Sequence, residues 1–200
     1  MKSKITAVLK FIVFLLLLPF VVISTRAFIR ELNQLPSDLQ ESFILGILVY
    51  LLVHIFIYEP KPIYQYGQNG VTAIFQFFSP IVKVAPFVLP IFSIIFLLLF
   101  YFAMLIFDSA KLGQGLIFLV SFTLTMHMVF TAKILRDKDS NVIKPSYFFS
   151  MSLVYSFNIF ILALLFDLVL TDFSFYQFFM SSTQKTGEIY SSVFRQLFVP

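Results

Sequence analysis

The chain has 200 residues, 60% of them hydrophobic and only 12% charged, with a mean hydropathy of +0.95 and a formal net charge of +4. Soluble domains carry about 25% charged residues, so this chain cannot cover itself with a wetted surface. Its small, scattered positive charge speaks for membrane orientation rather than nucleic-acid binding. The lack of cysteine excludes disulfides, thiolate zinc sites and cysteine nucleophiles. The expected organisation is one helical membrane domain over residues 1–200.

The first apolar run covers 5–24, behind Lys2 and Lys4. Thr25-Arg26-Ala27 is a poor cleavage site and Lys10 interrupts the run, so the segment reads as a retained span rather than a signal peptide. The second span, 38–58, opens on Ser37 after Pro36, with Gln40 three residues on as in a capping box. It stops at Glu59-Pro60-Lys61-Pro62. A third run, 84–107, carries Pro86 and Pro90 in its first turns, where prolines start or kink a helix. The fourth and fifth runs cover 115–132 and 146–170. The tail 186–199 sets Ile189, Tyr190, Val193, Phe194, Leu197 and Phe198 against Glu188, Ser191, Ser192, Arg195 and Gln196. That pattern predicts an amphipathic helix on the membrane surface or against the bundle.

Between Pro62 and Pro80 lies a segment of different character. Gln65, Gln68, Asn69, Thr72 and Gln76 recur at steps of three and four, one face of a helix. None is charged or a strong metal ligand. Lipid leaves amides unpaired at a cost of several kcal/mol, so such a row must face protein, water or a ligand. It serves either as interhelical glue, at about 0.6 kcal/mol per bond, or as a polar binding groove. Gly67 and Gly70 permit close helix approach in both cases. The segment 62–80 is therefore expected to be a buried or re-entrant helix.

Other polar residues are candidates for a relay or a vestigial site. His54 and His127 are the only histidines and sit in different apolar runs; structural hydrogen bonding is the simplest role for each. Asp137-Lys138-Asp139-Ser140-Asn141 begins like a calcium loop, but Val142 and Phe148 stand where an EF-hand needs Gly and Glu. Asp167 lies within apolar sequence near the end of the fifth run, where a carboxylate faces a partner, a cavity or the interface.

Gly67-Gln68-Asn69-Gly70-Val71-Thr72-Ala73 resembles a worn copy of the G-H-E-x-x-H-A motif of site-2-protease-like intramembrane zinc metalloproteases, in particular of a bacterial multi-pass group. Val84-Ala85-Pro86-Phe87-Val88-Leu89-Pro90 is similar to that group's L-A-P-Y-x-x-P segment, and Thr123-Leu124-Thr125-Met126-His127 to a later helix containing histidine. Asp137-Lys138-Asp139, then Tyr147-Phe148-Phe149-Ser150 and Asn158, resembles its Q-x-D…G-Y-x-x-S…N region. The resemblance covers about half the chain. It implies that Gln68 and Thr72 replace the two zinc histidines, that Asn69 replaces the catalytic Glu, and that Asp139 is the remnant of a metal-site aspartate. Gln and Thr are poor zinc ligands and an Asn amide is no general base. The implied protein is a pseudo-protease without metal or cofactor.

The expected architecture is thus all-α: a multi-pass transmembrane bundle of five spans, with the helix at 62–80 and the terminal amphipathic helix. Without a crossing at 62–80, eight basic residues lie on the N-terminal side against five on the other, including Arg26, Arg30, Lys185 and Arg195. The positive-inside rule then sets the N-terminus in the cytoplasm, and the resemblance implies a bacterial cytoplasmic membrane. The expected partners are the lipid bilayer and another membrane protein or helix. Two other readings stand beside the scaffold: an active peptidase using His54, His127 and Asp139, and a small transporter or channel component relying on Asp167.

Overall fold

The computed structural model describes residues 2–56, 59–76, 84–106, 110–138 and 145–198. Eight helices occupy them, with no strand among the described residues: α1 Lys2–Leu32, α2 Ser37–Phe56, α3 Lys61–Phe75, α4 Ala85–Val88, α5 Ile91–Ile106, α6 Ala110–Lys138, α7 Pro145–Val169 and α8 Phe175–Phe198. Four of them are long and apolar enough to cross a membrane, within Ile5–Leu32, Ser37–Phe56, Lys111–Asp137 and Pro145–Val169. The 84–107 run is divided. Pro90 has no N–H and holds Leu89 extended (φ −98°, ψ 112°), as a residue before proline prefers. The run therefore separates into the single turn α4 and the 16-residue α5. Residues 77–80 of the segment expected to be helical to Pro80 lie outside the described residues, as does Asp139.

The chain forms two compact units, Met1–Gln34 with Arg136–Pro200, and Leu35–Leu135. In the first, α1 and α7 run parallel: Lys10 Nζ donates to Ser146 Oγ at 3.0 Å near one end, and Thr25 Oγ1 meets Tyr155 OH at 2.8 Å further along. Phenylalanine fills the space between them, Phe14 on Phe148 at 5.3 Å and Phe28 beside Phe166 at 6.0 Å. Helix α8 returns antiparallel along α1, because Arg30 bonds Ser181 while the Tyr190 hydroxyl donates to the Leu16 carbonyl. Its start precedes residue 186 by several turns. Phe178, Ser182 and Thr186, spaced by four, are buried and form its packed stripe. Phe178 meets Phe160 edge-on at 4.9 Å, a geometry worth about 0.5–1.5 kcal/mol beyond area burial. Ser182 and Thr186 return their hydroxyls to α8's own carbonyls, so small polar residues serve close packing.

In the second unit α2 and α6 run parallel. Gln114 Nε2 donates to Asp38 at 2.8 Å, and Tyr50 meets Phe122 edge-on further along. Gly46 permits the approach: a Cβ there would collide with the Phe118 carbonyl and Ser121 Oγ. Helix α5 is antiparallel to α6, with Ser93 Oγ 3.0 Å from Thr123 Oγ1 and Phe100 packed beside Gly113. Helices α3 and α4 sit together where α5 begins, beside the 123–131 stretch of α6.

Candidate functional site

Proline chemistry builds the centre of the second unit. In an unbroken helix the Pro86 carbonyl accepts from the N–H of residue 90 and the Phe87 carbonyl from that of residue 91. Pro90 has no N–H, and Ile91 N donates to Leu89 O instead. Both carbonyls are answered by side chains from other helices. Gln68 Nε2 of α3 donates to Pro86 O at 2.7 Å, and His127 Nε2 of α6 lies 3.1 Å from Phe87 O. Neighbouring helices commonly satisfy backbone freed at a membrane proline in this way. Because a carbonyl only accepts, His127 carries its hydrogen on Nε2.

Around this break lies a cavity of about 10 Å³, lined by residues that include Gly67, Gln68, Pro86, Pro90, Thr123 and His127. That is the room of about one water. The segments 67–73, 84–90 and 123–127 therefore come together. Gly67 lets α3 reach α5, since a Cβ there would stand 2.5 Å from Phe92. Gly70 faces open space, with nothing within 4 Å of a Cβ; the close approach expected of both glycines belongs to Gly67 alone.

The amide row is split. Gln68 is half-buried and also donates to the Tyr64 hydroxyl, which lies 3.0 Å from Thr131 Oγ1. Thr72 is exposed and bonds the Gln68 carbonyl of its own helix at 2.9 Å. Gln65, Asn69 and Gln76 are exposed, and no side-chain hydrogen bond joins them to any described residue. Gln68 and Thr72, which the resemblance sets at the two metal-ligand positions, thus point to different surroundings.

The histidines are close neighbours without meeting. His54 stacks on Tyr50 and meets Phe130 edge-on at 5.7 Å; Phe130 stacks on Tyr64 at 5.0 Å, and Tyr64 lies 6.0 Å from His127. Two rings therefore separate the imidazoles. Among the described residues no three of His, Asp and Glu form a set able to hold a metal ion. His54 has a carboxylate neighbour that the sequence reading passed over: Glu59 Oε1 is 4.0 Å from its Nε2 and accepts from Lys133 Nζ at 2.7 Å. The Lys133 hydrogen bond above all, helped by the charges of Lys133, His54 and Lys61, holds the Glu59 carboxyl below its ordinary value against the opposing effect of desolvation. Asp167, in the other unit, is exposed and accepts the Phe175 N–H at 2.9 Å, which caps α8.

Two signals for this centre were present in the sequence: the Pro86/Pro90 spacing, which leaves carbonyls without donors, and Glu59 five residues after His54. Tyr64, Ser93 and Thr123 gave no such signal, because the bonds by which they join different helices link residues 27 to 67 positions apart.

Comparison with protein-family models, with curated proteins and with solved structures finds no match for this chain. The fold and its apolar helices define a class: a multi-pass, all-helical integral membrane protein in contact with the lipid bilayer.

Proposed function

We propose that this membrane protein is a catalytically inert relative of the site-2-protease-like metalloproteases and binds or scaffolds another membrane helix through the outer face of α3. One observation carries the reading, the division of the amide row. Gln68 is used inside, bridging α3 to the Pro90 break, while Gln65, Asn69 and Gln76 project outward without a partner among the described residues. Helix α3 packs beside residues 127–131 of α6, inside a stretch apolar enough to span. Outward amides at that level are costly in lipid and are satisfied by polar groups of a second helix. The meeting of segments 67–73, 84–90 and 123–127 at one cavity supports the relationship, and the neutral residues at positions 68, 69 and 72 support inertness. The peptidase reading has less support, since His127 is engaged with a backbone carbonyl and stands two rings from His54. The transporter reading has less as well, since Asp167 serves a helix cap.

The test is a photo-crosslinking side chain at Asn69 in native membranes. The expected result is a protein adduct of discrete mass that disappears on Gln65→Leu/Gln76→Leu substitution. Adducts to lipid alone overturn the helix-binding role. Elemental mass spectrometry of the purified protein is expected to find zinc far below one per chain. Stoichiometric zinc that is lost in a His54→Gln/His127→Gln variant overturns inertness.

A further inference from the structure

We propose that the cavity between α1 and α8 in the first unit binds a phosphate group, carried by an anionic lipid headgroup or free in solution. The cavity holds about 90 Å³ and is lined by Ile23, Arg26, Ala27, Arg30, Ser181 and Lys185. A single water needs about 10–15 Å³, so a tetrahedral oxyanion has room. Three of the six lining residues are cations. Arg30 is committed: it donates to Glu31 Oε1 at 2.7 Å and to Ser181 Oγ at 2.7 Å. Glu31, only 2% exposed, is thereby neutralised and held beside the site. Arg26 and Lys185 have no hydrogen-bond or ion-pair partner among the described residues, so two positive charges face one small space uncompensated. Like charges in a partly desolvated cleft repel and raise the local concentration of anions.

The depth of the cavity selects a phosphate over an acidic peptide. From Phe11 to Thr25 α1 carries no charge, a length of about 22 Å at 1.5 Å per residue. Arg26 therefore closes this uncharged stretch and stands toward the C-terminal end of the spanning run Ile5–Leu32. The antiparallel register of α8, tied at Arg30–Ser181 and Tyr190–Leu16, sets Lys185 at the same level. The floor, Ile23 and Ala27, is apolar and the rim cationic, which matches the boundary between acyl chain and headgroup. Basic pockets between membrane helices recognise anionic headgroups by this chemistry.

The experiment uses the full chain in neutral detergent, titrated separately with dioctanoyl phosphatidylglycerol, dioctanoyl phosphatidylcholine and inorganic phosphate, with binding read by thermophoresis. The wild-type protein is expected to prefer phosphatidylglycerol. The Arg26→Gln/Lys185→Gln variant is expected to bind it about 25-fold more weakly, at about fivefold per cation. The Arg26→Lys/Lys185→Arg variant keeps the charges and is expected to retain binding. Both side chains are exposed and have no hydrogen-bond or ion-pair partner among the described residues, so the folded state is expected to survive, checked by the circular dichroism of each variant. Inorganic phosphate binding with the same dependence on Arg26 and Lys185, and no added affinity for the lipid, assigns the site to free phosphate. Equal affinities of wild type and Arg26→Gln/Lys185→Gln for both anions overturn the proposal.

Discussion

The engagement of Gln68 with the Pro86 carbonyl makes a prediction that a double-mutant cycle can resolve. Replacing Gln68 by Leu removes the donor that reaches Pro86 O at 2.7 Å and also the bond to the Tyr64 hydroxyl. Tyr64 keeps Thr131 as a partner, so the orphan left behind is the carbonyl. Interhelical hydrogen bonds in membrane proteins average about 0.6 kcal/mol and reach about 1.7 kcal/mol, whereas an unsatisfied buried acceptor costs about 1–3 kcal/mol. Gln68 is only half-buried, so a loss of about 1–2 kcal/mol is expected. The carbonyl lacks a main-chain donor because residue 90 is proline. Pro90→Ala supplies that N–H and frees Leu89 from the extended region imposed on a residue before proline. In the Pro90→Ala background Gln68→Leu is therefore expected to cost less than half as much. Equilibrium unfolding in mixed micelles, followed by circular dichroism, measures all four corners of the cycle. Equal costs of Gln68→Leu in both backgrounds would refute the argument that this amide answers the proline break.

Three other outcomes follow from the geometry. Gly46→Ala forces α2 from α6, since its methyl meets the Phe118 backbone carbonyl as well as Ser121 Oγ, and the backbone cannot swing aside; a loss of about 2–3 kcal/mol is expected in the same assay, whereas Gly70→Ala, facing open space, is expected to be neutral or to stabilise by up to about 1 kcal/mol. Glu59 has a depressed carboxyl in the folded state, so its contribution is present above the ordinary carboxylate value of 4.5 and is lost as pH falls through the lower folded value. The fall in unfolding midpoint below pH 4.5 is accordingly expected to be shallower in Lys133→Gln than in wild type, and identical acid limbs would count against the pairing. Asp167→Ala removes the acceptor from the first turn of α8 and is expected to cost about 1 kcal/mol, with hydrogen exchange at residues 175–178 rising before that of α7.

The amino-acid sequence by itself determined that this is a multi-pass helical membrane protein, because too little charge is available to cover a soluble surface and apolar runs of spanning length recur. It also placed helix starts just after Pro36 and near Pro62, where proline acts locally, although the capping box expected of Ser37 and Gln40 does not form, since the Gln40 side chain bonds the Leu35 carbonyl. Only the tertiary structure decided what the polar residues do. Whether an amide at position 68 faces a ligand or a backbone carbonyl depends on where residue 86 lies, 18 positions away, and no periodicity carries that distance. The same holds for α8. Its amphipathic pattern permits a surface helix or a packed one. Phe178, Ser182 and Thr186 pack its first half beside the phenylalanine core of the unit, whereas the apolar stripe of the 186–199 pattern, with Val193, Phe194, Leu197 and Phe198, stays exposed. Close approach was decided in space as well: Gly46, Gly67 and Gly70 look alike in sequence, yet the first two touch a neighbouring helix and the third faces none. Hydrophobicity is a property of each residue and can be summed along a chain, whereas hydrogen-bond partnership is a property of pairs and exists only once the helices have packed.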